Sequence, residues 1–427
     1  MFPLYSFLYT LAFILMLPLF VLRRDKYAAG FAERLGNYPK FESDQRPVIW
    51  LHCVSVGETN AARPLVSAIR EQFPGYRLVV STTTRTGQEL ARKIFRDQTD
   101  AIVYFPFDWK FSTRRALRNY RPSIVLLMET EIWPRFIHES KIAGAKVAII
   151  NGRLSERSFR RYSRVAGFVD RVLKKIDLAL MQDEADAGRI SALRLDSEKL
   201  KITGNLKFDL IADAADEELT RKLRNRFDIS TGRPLIVAAS THAPEERCVL
   251  EALEDLGADF RLLIAPRHPE RFDEVARLIA ESGFSFVQRS ADESVEDKRA
   301  QVILLDTIGE LRAVYPLAEV VFVGGSLVRH GGQSVLEPAA AGRAIVTGPY
   351  THNFEAVVKE FLRHQALIQL PKPQQESEIA ERLFEIFTDL LTDAELRNKL
   401  GEAARSTVVN NRGATTRTVE FLRVLFD

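Results

Sequence analysis

The chain has 427 residues, 46% hydrophobic and 27% charged, with a formal net charge of +3. That balance excludes a disordered or fibrous chain, and so even a charge excludes a general nucleic-acid binder, so no nucleic-acid partner is expected. Two cysteines, Cys53 and Cys248, cannot build a disulfide framework or a four-cysteine zinc site.

The first informative segment is Leu4–Leu22, which carries no charge and has Ser6, Thr10 and two tyrosines as its polar exceptions. Its length fits a membrane-spanning helix, which needs about 17–25 residues. Arg23, Arg24 and Lys26 follow at once and nothing basic precedes them, which by the positive-inside rule places the rest of the chain on the cytoplasmic side. A cleaved signal peptide would show the reverse, with basic residues first and small residues straight after the apolar run. The expectation is therefore one N-terminal membrane-anchor helix over residues 1–22.

Short β-branched runs then alternate with helical patterns, the signature of a parallel α/β architecture. Strands are expected at Val48–Val54, Arg77–Thr82, Ala101–Phe105, Ser123–Met128, Lys146–Ile150, Leu178–Met181 and Lys201–Thr203, with helices such as Asn60–Gln72 and Thr86–Phe95 between them. The polar, acidic stretch Asp209–Arg226 breaks the rhythm and reads as an interdomain connection. Strands resume at Leu235–Ala239, Arg261–Ala265, Phe284–Gln288, Val302–Leu305, Val320–Val323 and Ala344–Thr347, with the charged Ser290–Arg299 as an exposed loop. Two open sheets of this kind, facing a central cleft, would hold ligands at the carboxyl ends of their strands.

Residues just after strands therefore carry the chemistry. Glu58 follows the first strand through the tight turn at Gly57 and opens the next helix, whose dipole favours an ionised carboxylate able to act as general base. The commoner role of such a residue is simply to stabilise a first helical turn. Glu129 and Glu131 follow the fourth strand, beside Trp133 and Pro134. Arg153, Arg157, Arg160 and Arg164 step by 4, 3 and 4 and would share one helical face suited to phosphates or anionic lipid head groups. In the second half, Arg267 and His268 follow a strand and offer a fork and a second donor to a phosphate. Gly325 and Ser326 follow another strand, and Gly331–Ser334 opens the helix that holds Glu337, a pattern that brings backbone N–H groups to a phosphate. There is no GxxxxGK[ST] loop, no HExxH, no paired Cys-x-x-Cys and no GxSxG, so no metal or cofactor is expected.

Trp50–Glu58, Met128–Pro134, Asn151–Ser155, Thr203–Asp209, Pro266–His268 and Leu336–Pro338 occur in that order, and with the N-terminal segment they resemble the 3-deoxy-D-manno-octulosonic acid (Kdo) transferases of lipopolysaccharide assembly. The resemblance covers nearly the whole chain. It implies a GT-B fold of two Rossmann-like domains, an acceptor domain at 23–212 and a CMP-sugar domain at 213–427, the last helix being free to pack back on the first domain. It implies transfer of Kdo from CMP-Kdo to lipid IVA, with inversion and without metal, at the cytoplasmic face of the inner membrane and in contact with its lipids. By position Glu58 resembles the general base and Glu131 a second acceptor-side acid. Arg267, His268, Gly309, Glu310, Leu311, Ser334, Val335, Leu336, Glu337 and Asn205 resemble donor contacts. Where the family usually reads Gly-Gly-His-Asn, this chain has Gly331-Gly332-Gln333-Ser334. The alternatives are a nucleotide-sugar enzyme of another specificity, such as a UDP-sugar epimerase, and a non-catalytic nucleotide-sugar-binding protein.

Overall fold

The computed structural model describes the whole chain except residues 1, 23–28, 43, 130, 212–215, 230–231, 255, 257–259, 376 and 427. The basic cluster at 23–26 and the expected domain boundary at 212/213 lie outside the described residues. Two compact units are present, one of Met1–Leu210 with Asn411–Asp427 and one of Ile211–Asn410.

The first unit is built on seven parallel strands: β1 (Val48–Cys53), β2 (Arg77–Thr82), β3 (Ala101–Tyr104), β4 (Pro122–Met128), β5 (Lys146–Gly152), β6 (Leu178–Met181) and β7 (Leu200–Ile202), in the order β3-β2-β1-β4-β5-β6-β7. Both faces of this sheet are covered, so its strands read as unbroken apolar runs rather than alternating ones. On β1, Val48 and Trp50 enter one core while Ile49, Leu51 and Cys53 enter the other. The second unit repeats the plan with β8 (Leu235–Thr241), β9 (Arg261–Pro266), β10 (Phe286–Gln288), β11 (Val302–Leu304), β12 (Val320–Val323), β13 (Ala344–Thr347) and β14 (Ile368–Gln369), in the order β10-β11-β9-β8-β12-β13-β14. In each sheet the winding reverses once, between β1 and β4 and between β8 and β12. In open α/β sheets such a switch point leaves a crevice for ligands.

The helices that matter below are α1 (Phe2–Leu22), α2 (Val56–Ala61), α3 (Arg63–Gln72), α4 (Lys110–Tyr120), α5 (Pro134–Ile142), α6 (Glu156–Ser163), α7 (Glu245–Glu254), α8 (Leu336–Ala340) and α9 (Ala414–Leu422). The single helix expected at Asn60–Gln72 is two, broken at Ala62 ahead of Pro64, whose ring lacks an N–H donor and sits in the first turn of α3. The C-terminal α9 belongs to the first unit, where Ala414, Val419 and Leu422 join the core that holds Leu65 and Ile69. The loop expected at Ser290–Arg299 is partly a clamp, because Asp297 is buried and pairs with Arg226 at 2.8 Å.

The expectation of a spanning anchor is corrected. Among the described residues no helix is long and apolar enough to cross a membrane. The four polar exceptions in the apolar run dock α1 along the first unit instead. Tyr5 donates to Asp108 Oδ2 at 2.7 Å, the Tyr9 hydroxyl accepts the Asp108 N–H at 3.3 Å, Thr10 accepts from Trp109 Nε1 at 2.9 Å, and Ser6 accepts from Arg135 Nη2 at 2.8 Å. Phe2 stacks on His138 and Phe13 meets Trp109 edge-on, completing one helical face at positions 2, 5, 6, 9, 10 and 13.

Candidate active site

The switch point of the first sheet gathers carboxylates. Ser55 caps α2, and Glu58 stands in its first turn, only 7% exposed. The Glu58 carboxyl folds back over the cap, accepting the Val54 N–H at 2.8 Å and the Ser55 hydroxyl at 2.9 Å, and no salt bridge among the described residues neutralises it. Burial pushes its pKa up to about 8, nearby Glu129 and then Glu131 push the same way, and the two hydrogen bonds only partly oppose them. Burial and the like charges of Glu129 and Glu131 thus act against the ionisation that a place in the first turn of a helix favours.

Glu129 directly follows β4 with φ of 53°, a left-handed conformation that non-glycine residues adopt at a cost and that clusters at functional sites. Glu131 is half-buried, and burial followed by Glu129 raises its pKa. Two cations share this neighbourhood. Lys207 is half-buried and its pKa is lowered by burial and by Arg153, against the pull of Glu129 and Glu58. The turn that presents Lys207 is pinned twice, by Asn205 Oδ1 on the Lys207 N–H and by the buried Asn151 Oδ1 on the Leu206 N–H, both at 3.0 Å. Asn205 thus lies in the first unit, in the turn that presents Lys207.

The arginine stripe is shorter than its spacing implied. Arg153 precedes α6 and takes part in the carboxylate cluster, while Arg157, Arg160 and Arg164 are exposed on α6 and its C-terminal cap. Arg160 is paired with Glu156 at 3.1 Å. The helix adjoins the cluster through Tyr162, whose hydroxyl is pushed up by burial and by Glu131.

At the second sheet's switch point the carboxylates already have partners. Glu245, fully buried in α7, accepts the N–H groups of His242, Gly325, Ser326 and Leu327 at 2.6–2.9 Å. The Ser326 hydroxyl donates to Val323 O and accepts the Gly348 N–H. Gly332 donates its N–H to Gly325 O. The glycines therefore shape a loop, and the N–H groups of Gly325, Ser326 and Gly332 are already taken within the protein. The helix holding Glu337 begins at Leu336 rather than at Gly331. Ser334 accepts the Leu336 N–H at 3.4 Å, Val335 and Leu336 bury their side chains, and Glu337 is exposed. Glu310 is bound to Arg289 at 2.9 and 3.1 Å and to the Thr307 hydroxyl, and with Gly309 (φ 92°) leads into the turn at Leu311.

What remains available is cationic and aromatic. Arg267 is exposed, and no described side chain or carbonyl pairs with its guanidinium. Beside it His242 forms the centre of three imidazoles, stacked on His330 at 4.4 Å and edge-on to His268 at 5.2 Å. Burial and then the two neighbouring histidines hold the His242 pKa down at about 4, so its ring is neutral near pH 7. Gln333 Nε2 lies 3.4 Å from His242 Nε2, a distance at which the amide donates to a neutral ring. Among the described residues no three His, Cys, Asp or Glu side chains are grouped to hold a metal ion.

Glu58, Glu131, Arg153, Arg267 and His268 thus fall at the two switch points. Sequence reasoning gave no role to Lys207, His242, Glu245 or His330. Lys207 lies within Thr203–Asp209, whose motif was visible. His242 follows a strand that runs two residues beyond its expected end at Ala239, which hid its position.

A family profile for 3-deoxy-D-manno-octulosonic-acid transferases (kdotransferases) matches residues 29–210. A 3-deoxy-D-manno-octulosonic acid transferase from Haemophilus influenzae is 34% identical over 98% of each chain. Among solved structures, a glycosyltransferase from Rickettsia africae superposes with a TM-score of 0.55 at 15% identity, covering 90% of this chain and 99% of that one. The UDP-GlcNAc 2-epimerase of Neisseria meningitidis gives 0.57 at 12% identity, covering 88% and 99%. These two likenesses concern the fold, which is GT-B-like with two Rossmann-type parallel sheets. A fold shared by a transferase and an epimerase does not choose the reaction.

Proposed function

The chain belongs to the 3-deoxy-D-manno-octulosonic acid (Kdo) transferase family, and from that premise we propose that it transfers Kdo from CMP-Kdo to a hydroxyl of lipid IVA in lipopolysaccharide assembly. The observation that supports this most is the trio Glu58, Glu129 and Glu131 beside Lys207, with Glu58 held near pKa 8. A base with a pKa close to the working pH is the one best matched to proton removal in the transition state.

In this reading Glu58 takes the proton of the attacking hydroxyl, and its bonds to Val54 and Ser55 fix the carboxyl for that task. Glu131 orients the hydroxyl. Lys207 and Arg153 meet an acceptor phosphate close to the reacting atom, and Arg157, Arg160 and Arg164 attract the phosphorylated lipid from further out. In the second unit Arg267 and His268 take the CMP phosphate and neutralise the charge that develops as CMP leaves. Neutral His242 gives that site an uncharged hydrogen-bonding partner. The reaction forms a bond from the acceptor oxygen to the anomeric carbon and breaks the bond to the CMP phosphate. Inversion follows when base and leaving group act on opposite faces of the sugar.

The lipid acceptor also requires access to a membrane. The outward side of α1 carries Leu4, Phe7, Leu8, Leu11, Ile14 and Leu15, each at least 44% exposed. With its other side docked on the protein, α1 would lie in the interface plane with this row in the lipid. Co-flotation with liposomes checks this, and loss of flotation on Leu8→Asp/Leu11→Asp/Leu15→Asp is expected. The reaction itself is tested by mass analysis of lipid IVA incubated with CMP-Kdo and the purified chain. Lipid carrying added Kdo is expected; unmodified lipid with released free sugar would reject the reading.

A further inference from the structure

We propose a second anion site on the first unit, at the end of the sheet opposite to the carboxylates, that binds an oligophosphate ester. A cavity of about 800 Å³ opens where β4 and β5 begin, at Pro122, Ser123 and Lys146. β4 runs from there to Met128, seven residues or about 20 Å, before the acidic cluster begins. The cavity is within the range of roughly 300–1,000 Å³ typical of small-molecule sites.

Its charge is one-sided. Arg114, Arg118, Arg121 and Lys146 line it against a single acid, Glu139. That acid is buried and already shared by Arg114 at 2.7 Å and Arg135 at 3.4 Å. Arg118, Arg121 and Lys146 are exposed and have no ion pair among the described residues. A second cavity of about 280 Å³ adjoins the first, because Arg118 and Arg121 line both, and adds Lys40. Three cations without counter-ions around one recess create a positive potential that small polyanions lower.

Arg121 supplies an independent sign. It ends α4 at φ 45° and ψ 55°, the left-handed cap conformation in which glycine is the usual residue. A non-glycine residue in this conformation carries a backbone cost. Complementing the carbonyl end of α4 would account for Arg118 in the last turn, but not for Lys146 at the start of β5 or for the strain at Arg121. The apolar part of the lining, Leu117 and Ile142, suits the organic portion of an ester.

Calorimetric titration of the full-length protein with inorganic triphosphate tests the site. Saturable one-site binding is expected, at least tenfold tighter than for inorganic monophosphate, and weakened at least tenfold in Arg118→Ala/Arg121→Gly. Arg121→Gly alone should weaken binding while its thermal midpoint stays level or rises, since glycine relieves the backbone. That result separates ligand binding from folding. Absence of saturable binding, equal affinity in the double variant, or binding only to anionic vesicles and not to triphosphate would each overturn the proposal.

Discussion

The two switch points are built alike and furnished differently. At β8/β12 the buried acids are satisfied from within: Glu245 holds four backbone N–H groups and Glu246 grips Arg271 through two bonds of 2.6 and 3.1 Å. At β1/β4 the three acids are without salt bridges among the described residues and crowd one another, so burial and like charge raise Glu58 and Glu131. Carboxylates with full partners act as struts that give a loop its shape. Carboxylates left in electrostatic conflict are primed to exchange a proton.

If that contrast holds, removing an acid costs activity at one switch point and stability at the other. The largest effect is expected from Glu58→Gln, which should lower kcat for Kdo transfer by about 10²–10⁴, the usual contribution of a general base, with folding intact by circular dichroism. Glu245→Ala leaves four buried N–H groups without an acceptor and should lose about 3–5 kcal/mol in denaturant unfolding. Arg267→Ala should raise the KM for CMP-Kdo by about 10–100-fold, as expected for loss of a charged hydrogen bond, with little change in Tm because the side chain is exposed. The smallest change is expected from Arg157→Ala or Arg164→Ala. Each should raise the KM for lipid IVA only a few-fold, in steady-state assays at low salt, and the difference should fade as salt screens these exposed charges.

Glu58 also links pH to stability. Its pKa is raised from 4.5 to about 8 on folding, so the folded state binds its proton more tightly. The stability it contributes is fully present below about pH 4.5 and is lost as pH rises through about 8. Urea unfolding from acid to pH 8.5 should therefore show a shallower decline in Glu58→Gln than in the parent chain.

Much of this architecture was legible in the sequence because strands buried on both faces, such as β1 and β4, leave runs of apolar residues that need no context to read. β14 was not, since Ile368–Gln369 has too few residues for a pattern. The apolar run of α1 looks the same whether it meets lipid or protein. Only Tyr5, Ser6, Tyr9 and Thr10 distinguished the two, and their partners at Asp108, Trp109 and Arg135 lie about a hundred residues away. The position of Glu58 after β1 was readable, whereas its protonation depends on its burial in the folded chain and then on Glu129, which follows β4. The Gly325 and Ser326 motif suggested phosphate binding because nothing local reveals that Glu245, some eighty residues earlier, takes those N–H groups.

The most direct test is the pH dependence of a single turnover of CMP-Kdo with lipid IVA, measured for the parent chain and for Glu58→Gln. The parent rate should climb with pH through a midpoint near 8 and level off above it, and the variant should be at least a hundredfold slower without that climb. A variant that turns over within tenfold of the parent, along the same pH curve, would contradict the assignment of Glu58 as the base.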